Sequence, residues 1–166
     1  MSEDRKTSPS IEPIQFKLVE IRKNNFVQND YREFGFSEND VLHGQGRLNV
    51  KFELVPNEEF FSIILNMDYL KNDHVLFGIE TLHKYGVKNF RSALNFKESG
   101  QFTVSDDVMK LWLQIAINDT RGMLVILNSD HEYSKIIMPL IDLNAFIQSL
   151  KGNKSEDVKQ SDSEIK

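Results

Sequence analysis

At positions 47–54 the chain reads RLNVKFEL, with Leu48, Val50, Phe52 and Leu54 apolar and a polar or charged residue at each position between them. A period of two marks a strand with one buried face and one wet face. The segment Val55-Pro56-Asn57-Glu58-Glu59 predicts a turn, after which Phe61, Ile63, Leu65, Met67 and Tyr69 repeat the alternation. Lys71-Asn72-Asp73 turns the chain again. Val75, Phe77 and Ile79 then begin a third strand that runs irregularly towards Val87 and Phe90, with Gly78 and Gly86 marking bulges or close approaches. Consecutive strands joined by short turns make an antiparallel meander. Upstream, FKLVEIRKNNF at 16–26 predicts a first strand of weaker alternation. Residues 28–46 read as a crossover loop whose aromatics must land on apolar surface.

Beyond Gly100 the period becomes helical. Ser105 suits an N-cap, and Asp106 and Asp107 set negative charge against the positive end of the helix dipole. Apolar residues fall at 108, 109, 111, 112, 115 and 116, then at 123, 124, 126 and 127. A helix to Leu127 has about 20 residues and spans roughly 30 Å. Leu113, Ile117 and Val125 widen its apolar band, and a helix apolar around most of its girth is buried on two sides. In so short a chain the second side is expected to be another subunit, with Trp112, Leu113 and Ile117 at that interface. The closing stretch YSKIIMPLIDLNAFIQSL, 133–150, carries an extended bar (Ile136-Ile137-Met138), a proline, and a short amphipathic helix capped by Asp142. The predicted class is α+β. A four-stranded antiparallel sheet, with a long crossover after strand 1 and then a meander, is packed by one long helix and one short C-terminal helix.

Composition narrows the function. One domain is expected over 12–150, between polar tails at 1–11 and 151–166 that hold too few apolar residues to pack. A net charge of −5 argues against non-specific nucleic-acid binding. The absence of cysteine excludes disulfides, thiolate metal sites and Cys nucleophiles. The first ten residues carry no apolar signal core, and no segment approaches the roughly 20 apolar residues of a membrane span. A cytoplasmic protein without membrane insertion is the expectation.

Enzymatic motifs are missing. His43, His74, His83 and His131 show no ligand spacing, and Asp130-His131-Glu132 reads as a solvated turn rather than a metal cluster. Glu58-Glu59 and Asp106-Asp107 sit where turns and helix starts favour acids. Neither a nucleophile elbow nor a glycine-rich phosphate loop is present. No enzyme activity, cofactor or metal is expected.

The order of elements resembles the SecB family of export chaperones, and the likeness runs in patches over 16–150. FKLVEI is similar to that family's opening strand, leading to Phe26. EEFFSIILNMDYL is similar to the second meander strand, and VLFGIETLHKYGVKNF to the third, including Glu80. Asp119-Thr120-Arg121 falls where the family has an arginine in its long helix, and IIMPLIDLNAFI is similar to the terminal segment. The resemblance implies an ATP-independent holdase, a homotetramer built as a dimer of dimers, that binds unfolded or precursor polypeptides and delivers them to the SecA motor. It implies client-binding groove residues Tyr31, Phe34, Phe36, Leu42, Phe146 and Ile147, and a motor-facing position at Glu80. The family's first-strand acids are replaced by neutral residues around Asn25 and Gln28 or Asn29. The family's Phe-Pro pair gives way to Ile115-Ala116-Ile117. Client holding therefore transfers more safely than motor docking. A dedicated adaptor for one partner, such as a toxin–antitoxin component, and an unrelated α+β ligand-binding domain are the alternatives.

Overall fold

A computed structural model describes residues 14–55, 58–95 and 103–153, with side chains described as far as Leu150. The predicted tails, and Pro56 and Asn57 of the first predicted meander turn, lie outside these residues, apart from 151–153.

Four strands form one antiparallel sheet: β1 (Phe16–Gln28), β2 (Gln45–Val55), β3 (Phe60–Lys71) and β4 (His74–Val87). Their spatial order, β1-β4-β3-β2, is the predicted crossover followed by a meander. The β3–β4 turn is the two-residue Asn72-Asp73, both at positive φ (46° and 66°). Asn and Asp tolerate that conformation best among non-glycine residues, and its twist matches the flanking strands. The crossover is more structured than a loop. It contains a 3-10 turn, Tyr31–Phe34, capped by the Asp30 carboxylate, and a short helix α1 (Glu38–Val41) with a Ser37/Asp40 capping box.

One sheet face forms the core. Pairing sets Phe61, Ile63, Leu65, Met67 and Tyr69 of β3 beside Tyr85, His83, Thr81, Ile79 and Phe77 of β4. Leu48, Val50, Phe52 and Leu54 of β2 extend the same face. The 22-residue helix α3 (Asp106–Leu127) crosses β3 and β4 and buries Trp112, Leu113, Ala116, Ile117, Thr120 and Leu124 against them. Trp112 stacks on Tyr85 and lies against Phe61, with Phe16 edge-on. Full burial of each such large side chain contributes about 1.5–3 kcal/mol. Thr81 and Thr120 tie sheet to helix through their hydroxyls, 2.7 Å apart.

Several expectations change here. Trp112, Leu113 and Ile117 were placed at a subunit interface, but all three are buried against the chain's own sheet. The wide apolar band concealed its phase: the side turned away from the sheet carries Leu111, Val125 and Ile126 instead. Gly78 and Gly86 are close approaches, not bulges; a Cβ at Gly78 would collide with the Asp68 carboxylate. The register shifts fall in β1, after Leu18 and Lys23, and in β4 at Leu76, which lies unpaired between the partners of Tyr69 and Leu70. Ser105 occupies the α3 N-cap without a side-chain bond, whereas Asp142 accepts from the backbone N–H groups of Asn144 and Ala145. The helix it starts, α4, spans Leu143–Asn153. The bar at 136–138 is extended but joins no strand. The 3-10 turn Glu132–Lys135 precedes it, and between Phe90 and Ala93 a single helical turn, α2, follows β4.

Candidate functional site

The crossover aromatics gather at the end of the molecule where α3 finishes. Phe34 stacks on His74, the first residue of β4, at 4.6 Å between ring centroids, and Phe36 meets the same ring edge-on at 5.9 Å. Both phenylalanines stay half-buried, and the end of α1 that follows them is clamped to the sheet. The Tyr69 hydroxyl donates to the Val41 carbonyl and accepts from the Gly44 N–H, each at 2.9 Å. Leu42, just after α1, is 56% exposed. Tyr31 lies underneath, buried, edge-on to Tyr133, whose hydroxyl donates to the Asn29 carbonyl. Burial raises the Tyr133 phenol to about 12, so it remains a donor at any physiological pH.

Phe146 and Ile147 lie elsewhere. Lys110 of the first α3 turns donates to Asn144, which seats α4 at the opposite end of that helix from the Gln28 to Asn128 bond beside the crossover. Ile147 is buried in the core and Phe146 is half-buried. The six groove candidates thus divide. Tyr31 and Ile147 are core residues, Phe34, Phe36 and Leu42 share one end, and Phe146 sits at the other. Sequence order alone could not reveal this split, because the segment between α3 and α4 runs back along α3.

Other exposed apolar residues form a second surface. Ile126 is 73%, Ile137 69% and Leu140 85% exposed, with Leu111 and Val125 close to half. Because α3 covers β3 and β4, Leu18 and Ile21 on the helix side of β1 are left open as well. The outer helix side runs through 111, 115, 118, 122 and 125, where Asn118 and Gly122 interrupt the apolar residues, so the sequence offered no continuous apolar stripe there. Between the C-terminal half of α3 and the bar lies a cleft of about 220 Å³ lined chiefly by Leu124, Val125, Ile136, Ile137 and Met138, with Arg121 at its side.

Among the described residues the opposite sheet face carries no helix. Pairing places Lys17, Glu20, Arg22 and Asn25 of β1, Glu80, Leu82 and Lys84 of β4, Asp68 of β3, and Arg47, Lys51 and Glu53 of β2 there. Asn24 donates to Glu80, and Arg47 holds Asp68 through an ion pair at 2.7 Å. Four acids (Glu20, Glu53, Asp68 and Glu80) mix with five bases (Lys17, Arg22, Arg47, Lys51 and Lys84) on this face, so Glu80 is not part of an acidic field. Asn25 pairs with Glu80, whereas Gln28 turns to the helix side and Asn29 donates to the Val75 carbonyl. Among the described residues no group of three or more His, Asp or Glu could hold a metal, and no helix is long and apolar enough to cross a membrane.

Comparison of the sequence with protein-family models and with curated proteins finds no match.

Proposed function

We propose that this chain is a SecB-like, ATP-independent holdase that binds unfolded polypeptides and assembles from several copies into a dimer of dimers. The observation that carries the reading is the amount of large apolar side chain left open on a folded α+β unit: Leu18, Ile21, Leu42, Leu111, Ile126, Ile137 and Leu140. Large apolar side chains left exposed in this number are candidates for protein association. The order of sheet and helices supports the same reading, since crossover, meander, long helix, extended bar and short helix follow one another as the resemblance implies.

On this reading the outer side of α3, with the open helix side of β1, meets a second copy. Phe34, Phe36 and Leu42 contact clients, with Phe146 as a separate contact at the far end. Extended clients suit such a surface because their alternate side chains enter apolar depressions while the backbone pairs with an open strand edge. Light scattering on the purified protein tests the assembly: four copies of a 19.3 kDa chain are expected, and a monomer at all concentrations removes it.

A second reading, a dedicated adaptor for one partner, is favoured by the mixed charge around Glu80, where the acidic motor-facing surface of the resemblance is not kept. SecA binding then becomes the discriminating measurement. Binding abolished by Glu80→Lys supports export delivery. Absence of SecA binding, together with one stoichiometric partner in place of many clients, supports the adaptor.

A further inference from the structure

The cleft between α3 and the bar combines apolar walls with a guanidinium. Its walls are mostly apolar, from Leu124, Val125, Ile136, Ile137 and Met138 with Phe77, Asn118 contributes a polar side chain, and its one charged lining group is Arg121. Arg121 donates one Nη2 bond, 3.0 Å, to the Met138 carbonyl, while its Nε is buried without an acceptor. Among the described residues it makes no ion pair. A guanidinium presents five donors in a planar fork that matches a carboxylate; Nε is closed off from the cleft, so the Nη donors not taken by Met138 are the ones an entering anion would meet. The cleft therefore offers positive charge and donors to an anion, and apolar surface to whatever carries that anion.

Size selects the carrier. About 220 Å³ falls below the roughly 300–1,000 Å³ of pockets that enclose drug-sized ligands, and suits one or two aliphatic side chains better than a long acyl chain. We propose that this cleft captures the C-terminal end of a polypeptide, with the terminal α-carboxylate on Arg121 and an aliphatic last side chain against Val125 and Ile137. The site is separate from the Phe34 and Phe36 surface and needs no client holding, but it shares Val125 with the side of α3 proposed to meet a second copy, so peptide and copy exclude one another there. It gives Arg121 a role that its place in the long helix does not explain.

The test uses the full chain and two probes, acetyl-Ala-Ala-Leu as the free acid and as the C-terminal amide, titrated by calorimetry or by NMR shifts of the Val125 and Ile137 methyl groups. The free acid is expected to bind at least about tenfold more tightly than the amide, the scale of a charge-assisted hydrogen bond. Arg121→Gln should abolish that preference. Because this change also weakens the tie to Met138, Ile137→Asp serves as a second variant. It lies on an exposed position and should block the free acid while leaving the melting temperature in place. Equal binding of acid and amide to the wild-type protein overturns the proposal, as does an absence of binding. A free-acid preference that survives both variants also overturns it. Two further outcomes would show another occupant: laurate displacing the peptide while binding far more tightly than it, or self-association lost in Arg121→Gln without any peptide binding.

Discussion

Replacing His83 with leucine isolates a proton that folding must shed. The imidazole is fully buried beneath α3, paired across the sheet to Ile63 and Ile21, and neither ring nitrogen has a hydrogen-bond partner. The nearest charge is the Asp119 carboxylate, 3.8 Å from Nε2, too far for a hydrogen bond. Lys23 lies on the same face of β1 with its ammonium over the Phe26 ring. Burial lowers the His83 pKa below its ordinary value of 6.5, and the opposing pull of Asp119 does not overcome it. The unfolded chain thus binds a proton near pH 6.5 that the folded chain refuses. Stability is fully present above that pH and is lost as pH falls from there towards the folded pKa. The loss reaches at most about 1.4 kcal/mol per pH unit for one proton, or a drop of about 3–6 °C in melting temperature per unit for a chain of this length.

Urea unfolding followed by Trp112 fluorescence, at fixed protein concentration and from about pH 7.5 to about pH 5, reads the effect. His83→Leu should match or exceed the wild type near neutrality, because it removes two unpaired buried polar atoms. The gap should then widen as pH falls, while everything else the two proteins share cancels. Asp119→Asn should carry the wild-type loss to lower pH by removing the opposing charge. Parallel profiles for wild type and His83→Leu across that range would show that the imidazole is not held neutral, and the reasoning would fail.

Two further outcomes rest on packing. Thr120 donates to the Ala116 carbonyl at 2.7 Å and shares its oxygen with Thr81, whose other acceptor, the Leu65 carbonyl, is 3.5 Å away. Thr81→Val and Thr120→Val should each cost about 1 kcal/mol, and the double variant clearly less than their sum; strict additivity in urea titrations would dissolve the link between sheet and helix. Trp112→Ala should cost about 3–5 kcal/mol by emptying the site among Phe16, Phe61 and Tyr85; a loss under about 1 kcal/mol would contradict its placement in the chain's own core.

Strands β2 and β3 were legible because their outward positions are largely polar, Arg47, Asn49, Lys51 and Glu53 on β2 and Ser62, Asn66 and Asp68 on β3, so their alternation survived in the sequence. β3 and β4 are both inner strands buried on both faces along much of their length, but β4 sets Thr81 and His83 inward among the core residues and so loses the period of two. Its outward positions include Gly78, where Asp68 leans in, and Leu82, which breaks the polar half of the pattern. The start of α3 was readable from its acidic first turn. Its rotation was not, since Trp112 and Leu111 are equally apolar in sequence and only the sheet decides which is buried. The candidate site was partly legible for a related reason. Phe34, Phe36 and Leu42 declared themselves as aromatics and aliphatics without a strand or helix to bury them. Arg121 and Ile137 lie 16 positions apart and become one cleft only when the bar folds back along the helix.

Client protection is the central claim, and aggregation kinetics address it directly. Two unrelated proteins, each unfolded and diluted without nucleotide in the presence of this chain, are followed by light scattering. The account predicts that scattering is suppressed for both at near-stoichiometric ratios, and that Phe34→Ser with Leu42→Ser weakens the suppression without altering the melting temperature by more than a few degrees. Unchanged scattering for both clients at a several-fold excess of the chain would contradict it.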